Sequence, residues 1–213
     1  SFFAIPMVHN DKEIGLFIWA TKKRVDFIPK SKINLILSFI KQASLSLENA
    51  TLYRKTKILT IVDDLTKLYN NRFFYSIIEK EMSRAKRYNY QFALLFMDMD
   101  GFKDVNDKHG GHLMGSEALK EVADILRECI RKSDVAARYG GDEFVVLLPQ
   151  TSLEQALVVA ERIRQNVESY NFLENFNKKV HMTTSIGVAS FPEHGMDTQD
   201  IIKKADIAMY KAK

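Results

Sequence analysis

The chain has 213 residues, of which 46 % are hydrophobic and 27 % charged, with a formal net charge of +4. That length is one or two domains, and that balance excludes a disordered or collagen-like chain. The charge is too mild, and the lysines and arginines too scattered, for a nucleic-acid binder. No apolar run reaches the length of a membrane span and no signal peptide is visible.

The lone Cys129 permits no internal disulfide and fits a reducing cytoplasm, the expected location. The chain opens at Ser1, without an initiator Met and inside an apparent strand. It therefore reads as a fragment of something longer, and an upstream membrane attachment stays open.

Phe2 to Val8 and Ile14 to Ala20 are apolar runs around the polar turn His9-Asn10-Asp11-Lys12-Glu13, which predicts a hairpin. From about Lys30 to Val62 the pattern is helical. Ile33, Ile36, Ile40, Ala43, Leu47 and Ala50 recur in steps of three and four, a heptad seam that weakens at Arg54 and Lys57. Such a seam serves either a parallel dimeric helix or a helix packed on its own domain. The hairpin, Val25-Asp26-Phe27, and the helix with Glu48-Asn49-Ala50-Thr51-Leu52-Tyr53 resemble the C-terminal end of a GAF domain, a small-molecule sensor module. On this reading residues 1–30 are its remnant, with no readable ligand pocket, and 31–62 are a linker and dimerisation helix.

Beyond residue 62 the pattern predicts helices at 71–88, 102–108, 113–131, 152–170 and 198–212, and strands at 91–98, 135–139, 143–148 and 180–190. The apolar faces Ala118-Leu119-Val122-Ile125-Leu126 and Ala156-Val159-Ala160-Ile163-Val167 are the clearest. Alternating strands and helices around a central hairpin imply an α/β sandwich.

Two strand ends carry acid. The apolar run Phe92 to Met97 ends in Asp98-Met99-Asp100, and period-two geometry puts both aspartates on one side. Gly101-Phe102-Lys103 follows and can wrap backbone N–H groups around an anion, with Lys103 adding a point charge. The hairpin Arg138-Tyr139-Gly140-Gly141-Asp142-Glu143-Phe144 displays two carboxylates at its turn, where adjacent glycines leave room for a ligand. Alone, that turn reads equally well as a solvated loop. If the two strands are sheet neighbours, Asp98 and Asp142 meet, and carboxylates with phosphate oxygens and water are how Mg²⁺ is usually held. The constellation points to metal-assisted phosphoryl or nucleotidyl chemistry.

Asp64-Leu65-Thr66 through Asn70-Asn71-Arg72, then Asp98 to Asp107, then Arg138 to Phe144, resemble the GGDEF domain of the diguanylate cyclase family, from about Asp63 to the last residue. The resemblance implies a ferredoxin-like palm of class III nucleotide cyclase type over residues 63–213, preceded by the hairpin and long helix. It implies a Mg²⁺-dependent (or Mn²⁺-dependent) nucleotidyltransferase that condenses two nucleoside triphosphates across a homodimer. Asp98, Asp142 and Glu143 match the metal ligands, with the Met99 carbonyl beside them. The metal would activate a ribose 3′-hydroxyl for attack on the second nucleotide's α-phosphate. Lys103 matches a lysine on the terminal phosphate, Gly101 and Phe102 the backbone cradle, and Lys213 a second phosphate-binding lysine. Phe is usual where Gly101 stands. A Gly-Arg-Asn motif whose arginine binds phosphate would follow Lys213 in the family pattern. Arg131 and Asp134 match an inhibitory RxxD site for cyclic dinucleotide product, and Arg162 aligns with an arginine that another protomer contributes there.

One departure concerns base choice. The family's Asn-Asp-x-x-Gly-His-x-x-Gly-Asp reads Asn106-Asp107-Lys108-His109-Gly110-Gly111-His112-Leu113-Met114-Gly115-Ser116, with one extra residue and serine for the last aspartate. Asn106 and that position are the guanine readers. A carboxylate accepts from guanine N1–H and the N2 amino group and cannot donate to adenine, whereas a hydroxyl does either. Charge-assisted bonds are worth roughly 1.5–3 kcal/mol each, so their loss erases about 10–100-fold of discrimination. Ser116 resembles the hybrid promiscuous subclass, which makes cyclic GMP-AMP as well as cyclic di-GMP; the substrates would then be GTP and ATP. The alternatives are a guanine-specific cyclase, with water restoring selectivity, and a silent receptor that binds cyclic dinucleotide through Arg131 and Asp134. The intact carboxylates argue against the last.

Overall fold

The structure, a computed structural model, describes residues 2–9, 12–22, 24, 27–59 and 61–213, and the side chains of all of these but 3, 9, 12, 51–59 and 109. The expected turn at Asn10-Asp11, the Val25-Asp26 step and the Arg54 and Lys57 side chains lie outside what is described. The chain divides into two units, Ser1–Thr60 and Ile61–Lys213. Among the described residues no helix is long and apolar enough to cross a membrane.

In the first unit, β1 (Phe2–His9) and β2 (Lys12–Ala20) pair antiparallel, from Phe2 opposite Ala20 to His9 opposite Lys12. Helix α1 (Lys30–Leu59) follows Pro29. Ile33 and Ile36 line an apolar cavity of about 230 Å³ with Ala4, Ile5, Phe17 and Trp19 of the hairpin and Ile28 just ahead of the helix. Ile40 is buried too. The first half of the heptad seam is thus used within its own unit, while Ala43, Leu47 and Ala50 are exposed.

The second unit is a five-stranded sheet in the order β3-β5-β6-β4-β7, from β3 (Tyr69–Asn70), β4 (Phe92–Asp100), β5 (Val135–Gly140), β6 (Glu143–Leu148) and β7 (Thr183–Phe191). Only β3 runs parallel to its neighbour. The last four strands, with α3 (Phe102–His109) and α4 (Gly111–Cys129) in the first crossover and α5 (Leu153–Ser169) in the second, make a βαββαβ unit. Numbered within that unit, they lie in the order 4-1-3-2, a ferredoxin-like palm of class III nucleotide cyclase type. Helices α2 (Asn71–Tyr88) and α6 (Thr198–Ala212) complete the unit.

The sheet is covered on both faces, so β4 reads as a continuous apolar run. Ala93, Leu95, Met97 and Met99 face the core built with α4 and α5. Phe92, Leu94 and Phe96 face the core built with α2 and α6. Local signals set the helix ends. The Asn70 side chain accepts from the Phe73 amide at the start of α2, and Ser152 and Gln155 form a capping box on α5.

Several boundaries differ from the sequence reading, three of them for a visible local reason. Strand β4 runs on to Asp100, because β7 pairs with it as far as Asp100 opposite Thr183. Strand β7 begins at Thr183 rather than 180, because Val180 pairs instead with Phe172 in an isolated bridge. Helix α4 starts at Gly111 rather than 113, since Gly110 and Gly111, with φ of 125° and 75°, turn the chain within two residues.

Two close contacts tie neighbouring elements to this sheet. A Cβ on Gly187 of β7 would lie 2.0 Å from the Ala205 carbonyl oxygen and 2.1 Å from the Met209 amide nitrogen, so α6 rests directly on the strand backbone. The Arg138 guanidinium donates from Nε and Nη2 to the Gly141 carbonyl, at 2.9 and 2.7 Å, and from Nη1 to Asp63 Oδ1 at 3.3 Å. Asp63 Oδ1 also accepts from the Thr66 amide and hydroxyl, at 2.8 and 2.7 Å. Burial raises the Asp63 carboxyl, but the Thr66 donors and the Arg138 charge outweigh it and hold the group below the usual carboxylate value.

Gly187→Ala should cost about 1–3 kcal/mol or more by overpacking, read as a lower urea midpoint; an unchanged midpoint would contradict the close approach. Asp63→Ala should cost about 1–2 kcal/mol at neutral pH. Because the folded value is depressed, that gap is full above about pH 4 and closes as pH falls through the lowered value. Stability curves of wild type and variant that stay parallel from pH 7 to pH 2 would rule the pairing out.

Candidate active site

The acidic strand ends come together because β4 and β6 are antiparallel neighbours, with Asp98 opposite Glu143. The alternation that sends Phe92, Leu94 and Phe96 toward α2 and α6 sends Asp98 and Asp100 to the same face. The register of β6 puts Glu143 on the face of Val145 and Leu147, which is again that face. The turn closes onto β4 through the Met99 N–H, which donates to the Asp142 carbonyl at 3.3 Å. Gly141, at φ 54°, makes the turn.

Each carboxylate has its own surroundings. Asp98 is buried, and its Oδ1 accepts from Lys213 Nζ at 2.6 Å. Its main-chain carbonyl accepts from the Thr184 hydroxyl at 3.0 Å. Asp100 accepts from the Thr183 and Ser185 hydroxyls, both at 2.9 Å, so its two oxygens are turned to β7. Burial, then the Asp98 charge, push Asp142 up from its usual value. Burial pushes Glu143 up as well, followed by Asp98, Asp142 and Asp206 of α6. The hydrogen bond to Asp98 pushes Lys213 up.

This is a concentration of negative charge that a hard cation would relieve. Among the described residues no three His, Cys, Asp or Glu side chains form a ready cage. Asp98, Asp142 and Glu143 could instead contribute in part, with the Met99 main chain and substrate oxygens completing the set, as Mg²⁺ prefers.

The other expected residues fall in two places. Gly101, at φ 73°, caps α3, a conformation that suits glycine better than the usual Phe. Phe102 and Lys103 form the first turn of α3, with Lys103 exposed. Asn106 and Ser116 are half-buried on α3 and α4. The helices meet where a Cβ on Gly115 would fall 2.1 Å from Asn106 Oδ1, so that glycine leaves the Asn106 amide its room. The second place is the far end of β5, about 20 Å along the strand from the glycine turn. There the Arg131 amide donates to Asp134 Oδ2 at 2.8 Å. Arg162 of this same chain reaches the end of α4, donating to the Cys129 carbonyl at 2.5 Å, two residues before Arg131.

Among the features that the sequence reading missed, three bear on the acidic turn. The Arg138 clamp joins residues 75 apart. Asp206 stands close enough to raise Glu143. Tyr139 packs edge-on against Phe96 and shares a 2.6 Å hydrogen bond with Tyr75 of α2. Burial and that bond push Tyr139 up. Only Arg138 left a signal, as a basic residue just ahead of the glycines.

Residues 60–213 match the family model described as "Diguanylate cyclase, GGDEF domain". The chain is 33 % identical over its whole length to Diguanylate cyclase A of Treponema denticola, of which it covers 57 %. It spans about half or less of the curated relatives it matches. Among solved structures, a GGDEF domain of TpbB (or YfiN) from Pseudomonas aeruginosa is similar over 71 % of this chain and 88 % of that one, with TM-score 0.67 and 37 % identity. The GGDEF domain of DgcB from Caulobacter crescentus, solved in complex with c-di-GMP, covers 72 % of this chain and 90 % of its own at TM-score 0.66 and 28 % identity. The sheet with its acidic turn, the family model and the relatives agree: the chain belongs to the GGDEF-domain diguanylate cyclase family, a family of nucleotidyltransferases.

Proposed function

We propose that this chain is a cyclase that joins two purine nucleoside triphosphates into a cyclic dinucleotide and releases two pyrophosphates. The observation that carries the proposal is the β4–β6 register, which sets Asp98 opposite Glu143 with Asp142 at the turn. Curated relatives carry the name diguanylate cyclase, which supports cyclic di-GMP as a product.

The chain's own groups position and balance charge. The N-terminal turn of α3, with Lys103, receives the terminal phosphate. Asn106 and Ser116 meet the base between α3 and α4. The Arg138 clamp holds the acidic turn in place, and the 3′-hydroxyl of one nucleotide would attack the other's α-phosphorus beside it. The 3′-oxygen–phosphorus bond forms, the bond to pyrophosphate breaks and the hydroxyl proton passes to solvent; the same step with the nucleotides' roles exchanged closes the ring and releases the second pyrophosphate. One protomer holds one nucleotide, so the reaction requires a homodimer. A divalent cation, Mg²⁺ or Mn²⁺, held by Asp98, Asp142, Glu143 and the Met99 main chain would supply Lewis-acid polarisation and charge neutralisation. Arg131, Asp134 and Arg162 together offer a cationic turn suited to product phosphates, the basis for feedback inhibition.

Ser116 carries the finer part of the reading. With a hydroxyl in place of a carboxylate, the pocket accepts adenine beside guanine, and cyclic GMP-AMP forms with cyclic di-GMP. A guanine-only pocket is the second reading, favoured by the names of the relatives. On the dimer, residues 31–62 would serve as linker and the hairpin of residues 1–30 as the end of a GAF-like sensor.

Asp142→Ala should abolish synthesis while leaving cyclic dinucleotide binding at the Arg131 turn intact; retained turnover would sink the metal-site assignment. Ser116→Asp should move product from cyclic GMP-AMP toward cyclic di-GMP by about tenfold or more in ratio. An unchanged ratio would reject the account of base reading.

A further inference from the structure

The contact between Lys213 and Asp98 joins a cation to the carboxylate that the proposed chemistry needs for metal. Lys213 Nζ lies 2.6 Å from Asp98 Oδ1, with the lysine side chain 47 % exposed and the aspartate only 12 %. The ammonium therefore reaches from the solvent side onto a mostly buried oxygen. The backbone beneath it is well placed: the Lys213 amide donates to the Met209 carbonyl at 3.1 Å, and α6 is seated on Gly187. The flexible four-carbon stem is what remains free to swing.

Nearby alternatives to this pairing are taken. The Arg138 guanidinium is spent on the Gly141 carbonyl and Asp63, and Asp100 is turned to the Thr183 and Ser185 hydroxyls. Asp142, Glu143 and Asp206 add negative charge at the same end of the sheet.

We propose that Lys213 is the resident counter-ion of the nucleotide-free site, holding the place of a divalent cation against Asp98 and giving it up when metal and nucleotide enter together. An ammonium at hydrogen-bond distance and a divalent cation on the same carboxylate oxygen repel each other, so one excludes the other. Nucleotide phosphates offer the ammonium a second anionic partner on the same side of the site. Metal and nucleotide then bind with positive coupling, each easing the entry of the other. A nucleotide-free protein carries little metal, and the acidic cluster stays balanced while it waits. The proposal rests on the metal-dependent reading above.

The test is Mn²⁺ binding to the nucleotide-free protein, followed by electron paramagnetic resonance of the free ion. Lys213→Met should bind Mn²⁺ about fivefold or more tightly than wild type. Lys211→Met, which removes an exposed charge from the same helix, should bind as wild type does. A non-hydrolysable GTP analogue should tighten Mn²⁺ on wild type more than on Lys213→Met. Equal Mn²⁺ affinity in wild type and Lys213→Met, or an equal gain in Lys211→Met, would overturn the counter-ion role. Equal tightening by the analogue in both proteins would overturn the displacement. Asp98→Asn should lose Mn²⁺; wild-type affinity there would instead remove the metal site itself, and with it the functional reading beneath the proposal.

Discussion

Strand β4 enters the middle of the sheet with residues 92 to 99 all buried, and it pairs with β6 on one side and β7 on the other. Its register is therefore fixed from both edges and both faces. A slip of one residue would send Asp98 into the core of α4 and α5 and bring Met97 and Met99 to the acidic face. The site depends on that constraint. Hydrophobic burial along β4 locates Asp98, the pairing with β6 locates Glu143, and the short turn locates Asp142.

Placing three carboxylates at one strand end has a stability cost, visible as the upward push on Asp142 and Glu143. The fold answers it locally rather than by diluting the charge. Lys213 sits on Asp98, the β7 hydroxyls take Asp100, and Arg138 ties the turn to Asp63. Each partner comes from a different element, so the site is also where β7, the end of α6, β5 and the first turn of the unit are joined. Functional sites commonly keep such locally unfavourable charge because the reaction uses it.

Much of this was legible in the sequence, for a physical reason. The helices of the second unit show strong 3.6-residue periodicity, the central strands are unbroken apolar runs, and the Gly-Gly turn permits few other readings. The acids at 98, 142 and 143 stood out because they interrupt those runs. The rest depended on long-range contact. Nothing near Asp63 announces Arg138, and nothing in β7 announces that Thr183 and Ser185 face Asp100. Lys213 was read for phosphate alone, since its distance from Asp98 exists only once α6 lies on Gly187. In α1 the periodicity identified an apolar seam but could not say which stretch meets the hairpin, because both sides of that helix carry leucine or phenylalanine. Boundaries failed where glycines or an isolated bridge decided them, as at Gly110 and Val180.

The strand-end carboxylates are proposed to serve nucleotide condensation, with Ser116 loosening the choice of base. The most direct measurement is to incubate the protein, as a dimer, with Mg²⁺ and equal GTP and ATP and to separate the products. The expected products are cyclic dinucleotides that include cyclic GMP-AMP and vanish when Mg²⁺ is removed. No cyclic dinucleotide would contradict the condensation, and cyclic di-GMP alone would contradict the relaxed choice of base.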